Sequence, residues 1–167
     1  MSFDASARFA LPLLQPGQAQ KEIFHNEAIT LLDLIVQTVV VDAGLDTPPD
    51  APEPGQSWIV GAAPSGAWAG RADAIAGWTA GGWRFVLPVE GMTAWIGARE
   101  LPARHLSGVW SIGALTATKM VIAGEQVVGP REAAIADPAG GSVVDAESRA
   151  TLAAILVMLR AHGLIRG

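Results

Sequence analysis

Ile75-Ala76-Gly77-Trp78-Thr79-Ala80-Gly81-Gly82-Trp83-Arg84-Phe85-Val86-Leu87 is the stretch that decides the fold class. Its two ends are rich in aromatic and β-branched residues, and the glycines between them supply the positive φ that a tight hairpin requires. The pattern predicts strands over Ile75 to Trp78 and Trp83 to Leu87. In the second, Trp83, Phe85 and Leu87 fall on one face, and Arg84 and Val86 on the other. The same character begins at Ser57, with short runs of Trp, Val, Ile and Phe set between glycines. A second hairpin is expected over about 118–128, turning at Ala123-Gly124, with both faces covered because Met120 and Ile122 alternate with Val121.

Helices flank this β region. Asn26 reads as an N-cap and Glu27 complements the helix dipole, so apolar Ala28, Ile29, Leu32, Ile35 and Val36 predict a helix over about 27–38. Thr38 to Val41 is β-branched and can turn into a strand. Residues 46–55, with four prolines and a glycine, form a turn-rich linker between helix and sheet. At the other end, Asp145 caps a helix over about 146–162 that Gly163 ends, with Leu164 placed for a Schellman contact. Leu152, Ile155, Leu156 and Leu159 make one apolar stripe on it, widened by Val157 and Met158. The stripe suits packing on a sheet of the same subunit, or a bundle of identical helices around a symmetry axis. The class is therefore α+β: a short amino-terminal helix, a small Trp-rich antiparallel region of hairpins, and a carboxy-terminal amphipathic helix. Segments 1–45, 46–135 and 136–167 are read as parts of one compact unit.

Half of the 167 residues are apolar and 16% are charged, so surface hidden in an assembly is expected. The longest apolar runs fall well short of the roughly 20 residues that cross a bilayer, and no membrane insertion is expected. The start, Met1-Ser2-Phe3-Asp4-Ala5, lacks the basic and apolar regions of a secretory signal, which points to folding in the cytoplasm. The absence of cysteine removes disulfides and thiolate metal sites. A net charge of −5 with scattered basic residues argues against nucleic-acid binding.

The run Leu11-Pro12-Leu13-Leu14-Gln15-Pro16-Gly17-Gln18-Ala19-Gln20-Lys21-Glu22-Ile23-Phe24-His25-Asn26-Glu27-Ala28-Ile29 resembles the opening of a family with no assigned activity, found in tail-fibre and head-spike proteins of phages and gene transfer agents. The resemblance continues through Trp58-Ile59-Val60, Gly66 to Gly70, Trp78 to Phe85 and Gly91 to Trp95. Gln126 to Asp137 and Leu159 to Ile165 are similar to carboxy-terminal segments of the same class of virion proteins, and residues 97–118 match neither. The resemblance implies a virion structural protein assembled in the host cytoplasm. Such a protein would be an oligomeric base or adaptor, trimeric or pentameric, joining a capsid or other particle protein to a head spike or tail fibre. Leu13, Leu14, Gln18, Gln20, Ile23 and Phe24 are the candidate particle-attachment residues. Leu152, Ile155, Leu156 and Leu159 are the candidate oligomer interface.

Chemistry has few candidates. His25-Asn26-Glu27 pairs a base with an orienting acid, but local capping explains it as well, and it lacks the second His of a zinc helix. His105 lies in a poorly patterned segment and His162 at a helix end. Ser65 lacks the elbow of a hydrolase, and no acid pair is placed as in a glycosidase. No enzymatic activity, cofactor or metal is expected. The alternative function is a carbohydrate-binding module: Trp68, Trp78 and Trp83 sit near turns, where flat rings could stack on glycans, although Trp also builds the core of a small sheet.

Overall fold

The computed structural model describes residues 5–14, 21–137, 139–140, 145–161 and 164–165. The chain forms two compact units, Met1–Ala114 and Leu115–Gly167. The division falls at 114/115, at neither of the boundaries suggested by composition. The class is α+β, with the two helices and the hairpins in the expected order.

In the first unit, helix α1 (Lys21–Ile35) precedes β1 (Val39–Val40), β2 (Ala43–Leu45) and β3 (Ser57–Val60). A short 3-10 turn (Gly66–Trp68) leads to β4 (Ile75–Thr79), β5 (Gly82–Val86), β6 (Thr93–Ile96), β7 (Leu101–Leu106) and β8 (Val109–Ile112). They make two four-stranded sheets, ordered β1-β6-β7-β8 and β2-β3-β4-β5. Both are antiparallel except at one edge, where β1 runs parallel to β6 and β2 parallel to β3.

The parallel edges have one cause. Residues 39–45 are an extended run that changes sheets. The Val40 carbonyl accepts from Gly97 N–H on one side, and two bonds further on Val41 N–H donates to the Ser57 carbonyl and Ile59 N–H to the Asp42 carbonyl. Strands that switch sheets in this way make the corners of a two-sheet stack. A parallel pair also needs a connection long enough to return to the start of its partner, and the proline-rich loop 46–56 is that connection between β2 and β3.

Between the sheets lie Val40, Ile59, Ile75, Ala94, Ile96 and Ala103. Strand alternation turns Trp58, Val60 and Ala76 to the other face of the second sheet, where Trp68 closes over them with Trp78, Trp83 and Phe85 at its margin. This sheet is thus buried on both faces, which is why all four residues of β3 are buried. The expected alternation in β5 holds for Trp83 and Phe85 against Arg84 and Val86, whereas Leu87 lies beyond the strand and is exposed.

Helix α1 starts at Lys21, a turn and more before the expected cap, and ends at Ile35. Asn26 is inside it and caps nothing: its amide donates to the Leu14 carbonyl (3.0 Å) and accepts from Leu14 N–H (2.9 Å). Asp33, 3% exposed, accepts from Ser6 Oγ, Arg8 N–H and Phe9 N–H at 2.8–2.9 Å. The Arg8 guanidinium in turn donates to the carbonyls of Asp33, Leu34, Val36 and Gln37, which the helix end leaves without intrahelical partners. Residues 5–14 are thereby tied to α1. The helix reaches the sheet through Leu34, which sits on Gly77: a Cβ there would lie 2.4 Å from Leu34 Cδ2.

In the second unit, β9 (Met120–Ile122) and β10 (Glu125–Val128) form the expected hairpin. Ala123 and Gly124 both have positive φ, 52° and 85°, as the two-residue turn demands. Every residue of both strands is exposed, so neither face is covered, contrary to expectation. Helix α2 (Ala146–Ala161) begins as expected, with Ser148 N–H and Ser148 Oγ donating to the Asp145 carboxylate at 2.8 Å. Leu164 N–H donates to the Leu159 carbonyl (3.0 Å), the six-residue return of a Schellman closure. The expected stop at Gly163, and His162, lie outside the described residues.

Candidate functional site

His25 and Glu27 both lie on α1, two residues apart, and side chains at that spacing do not face each other. Glu27 is instead turned to the sheet, where both its oxygens accept from Arg84 Nε at 2.7 and 2.9 Å. Arg84 Nη1 also donates to the carbonyls of Gly81 and Trp83. The motif read as a base with its orienting acid therefore contributes a latch holding α1 to the β4–β5 hairpin. Above the latch lies a groove of about 530 Å³ between α1, residues 5–13 and the hairpin turn, with Leu13, Ile23 and Thr30 in its walls.

His105 is an inward-facing residue of β7, 8% exposed, with its ring edge-on to Trp110 at 5.4 Å. Among the described residues no group of three His, Asp or Glu side chains is placed to hold a metal ion. No described helix is long and apolar enough to cross a membrane.

The three tryptophans proposed as glycan contacts form one aromatic cluster with Trp58. Trp83 meets Trp58, Trp68 and Trp78 edge to face, at 5.7, 5.2 and 5.0 Å between centroids. Trp68 is fully buried, and this corrects its assignment as a contact: its ring roofs the second sheet and has no face to offer a sugar. Trp78 and Trp83 are half-buried at the margin of the same cluster. Of the three tryptophans not proposed as contacts, Trp58 is buried and Trp110 half-buried, whereas Trp95 is exposed on the open face of the first sheet. Its signal was available in the alternation of Thr93-Ala94-Trp95-Ile96, where Ala94 and Ile96 are the core residues.

Of the proposed attachment residues, Leu14, Ile23 and Phe24 are exposed and Leu13 is half-buried, while Gln18 and Gln20 lie outside the described residues. The apolar stripe of α2 is largely uncovered. Leu156 is buried and Leu159 half-buried, but Leu152 is 50% and Ile155 43% exposed, with Val157 and Met158 also open to solvent.

The first unit is thus a two-sheet α+β domain with an aromatic roof and a helix latched to its side. A recognised family covers most of it: residues 25–111 match the model described as "Protein of unknown function (DUF2793)", and the chain belongs to that family. The match runs from the last residues before the Glu27 latch to β8. It takes in residues 97–111, where no resemblance had been read, because β7 and β8 complete the first sheet. It excludes Leu11 to Phe24. No curated protein matches the chain.

Proposed function

We propose that this protein is a structural component of a phage-like particle or gene transfer agent, an oligomeric base or adaptor linking the capsid to a receptor-binding head spike or tail fibre. The observation that carries the reading is the uncovered apolar surface of the second unit. Among its described residues, Leu156 and Ile165 are the buried apolar side chains, while the whole β9–β10 hairpin and most of the α2 stripe face solvent. A two-stranded hairpin alone is marginal in water. A unit as short as 115–167, with no cysteine to form a disulfide, needs further burial to be stable. Association of several copies supplies it.

Charge distribution favours copies of the same chain as the partners. The second unit carries five basic and five acidic residues, so the net charge of −5 resides in the first. Neutral units meet without net repulsion. The resemblance of Leu11 to Phe24, Gln126 to Asp137 and Leu159 to Ile165 to virion appendage segments supplies the setting. Exposed Leu14, Ile23 and Phe24 are the surface for attachment to a capsid protein.

The test is deletion of the gene in a cell that releases such particles, followed by electron microscopy and mass spectrometry of the purified particles. The protein is expected in the wild-type particles, and the deletion is expected to strip them of spikes or fibres. Particles that lack the protein yet keep all their appendages would contradict the proposal.

A further inference from the structure

Gly113-Ala114-Leu115-Thr116-Ala117-Thr118-Lys119 joins β8 to β9 across the boundary between the two compact units. It belongs to no helix or strand, and every residue in it is exposed, Leu115 at 85%. Gly113 N–H still bonds back to the Pro102 carbonyl (2.8 Å), but Ala114 to Lys119 make no hydrogen bond or ion pair among the described residues. No proline stiffens the chain between Pro102 and Pro130. Exposed backbone of this kind, with small and polar side chains, is where a folded chain is nicked by proteases, because the substrate must enter the protease extended and unpaired.

Lys119 gives such a cut its chemistry, as the only charged residue between Arg104 and Glu125. The other described basic residues stand in backbone that hydrogen bonds hold. Arg84 and Arg104 lie within β5 and β7, and Lys21, Arg149 and Arg160 within the helices. The N–H that follows Arg8 donates to the Asp33 carboxylate, and the N–H that follows Arg131 donates to the Leu164 carbonyl. Arg71 and Arg99 lie in turns, where their own N–H groups donate to the Trp68 and Ile96 carbonyls. Cutting at any of these requires local opening first, whereas Lys119 is presented as it stands.

We infer that residues 113–119 are a processing site, cut after Lys119 by a protease specific for basic residues. Water adds across the Lys119–Met120 peptide bond, leaving a carboxylate on Lys119 and a free amine on Met120. The cut parts two unequal pieces. Both hydrophobic cores, all six tryptophans and the whole net charge of −5 go with the first unit, which is released folded. The uncovered α2 stripe stays with the second. One hydrolysis therefore detaches the first unit from whatever holds the second. The inference rests on the division of the chain and uses nothing of the assembly reading.

The test is limited digestion of the full-length protein with trypsin as the probe, followed over time by intact mass and by tryptophan emission. The expected main cut falls after Lys119, and the fragment 1–119 accumulates with the emission of the uncut chain. Lys119→Gln, at an exposed position outside both cores, should slow the severing of the two units at least about tenfold. The inference is overturned if cuts within residues 5–112 come first, or if Lys119 stays uncut while other sites are lost. It is equally overturned if the fragment 1–119 is degraded as fast as it forms, or if Lys119→Gln is severed there at the wild-type rate. None of these outcomes depends on the native mass of the uncut protein, so a failure here leaves the proposed function to its own test.

Discussion

Replacing Leu152 and Ile155 together by alanine is the perturbation that most sharply separates a self-associating base from a self-contained subunit. The two side chains are 50% and 43% exposed in the single chain. Full burial of such a side chain is worth about 1.5–3 kcal/mol, so covering the exposed half contributes about 1 kcal/mol for each. That is about 2 kcal/mol per copy, and the loss is multiplied by the number of copies in the assembly. In a trimer the association constant should fall by about four orders of magnitude, at 1.4 kcal/mol per tenfold. The half-assembly concentration varies as the square root of that constant and should rise about 100-fold. A pentamer gives a similar figure, since its larger total loss enters through a fourth root. The assay is sedimentation velocity from about 0.1 to 100 μM, spanning the affinities at which specific complexes commonly form. Far-UV circular dichroism is the control, because alanine favours helix and α2 should persist. An unchanged midpoint with α2 intact would show that this stripe does not lie between copies.

Three further predictions concern the supports of the fold. Asp33→Ala leaves Ser6, Arg8 and Phe9 donors without their acceptor and should cost ~2–4 kcal/mol in urea unfolding followed by tryptophan emission; a loss under about 0.5 kcal/mol would show that the tie of residues 5–14 to α1 is unimportant. Gly77→Ala drives a methyl into Leu34 and should cost about 1–3 kcal/mol by overpacking, with Leu34→Ala in the same chain relieving part of it, so strict additivity of the two would be evidence against the contact. The Asp145 carboxyl is held below its ordinary value of 3.8, first by the backbone hydrogen bond from Ser148 and then by its side chain. A depressed folded value stabilises above the unfolded one and is lost as the pH falls through the folded one. The ellipticity of α2 should therefore be flat from pH 5 to 7 and fall below pH 3.8, and Asp145→Asn should lose that acid limb; an acid limb retained in Asp145→Asn would place the titrating group elsewhere.

The elements legible in the sequence were those set by local chemistry. Ala123-Gly124 and Gly82 marked the two hairpin turns because positive φ is a residue-level demand, and Asp145 marked the start of α2 because a cap bonds within its own turn. What stayed hidden depended on distant partners. Asn26 carried the signal of an N-cap, yet the backbone it serves is that of Leu14, twelve residues away. The parallel edge strands followed from residues 39–45 dividing their hydrogen bonds between two sheets, which no local pattern announces. Position near a turn did not decide exposure for Trp68, Trp78 and Trp83, because strand alternation and the 3-10 turn close them into one cluster. The β9–β10 hairpin was legible as a hairpin, but its bareness on both faces was not, since periodicity does not tell a face covered within the chain from one awaiting a partner.

On the proposed function, the second unit finds its missing core in other copies of the chain. The most direct measurement is the native mass of the purified full-length protein by light scattering across a wide concentration range. A single discrete oligomer, trimer or pentamer, is expected at the upper concentrations. A monomer throughout, with α2 and the β9–β10 hairpin folded, would contradict it.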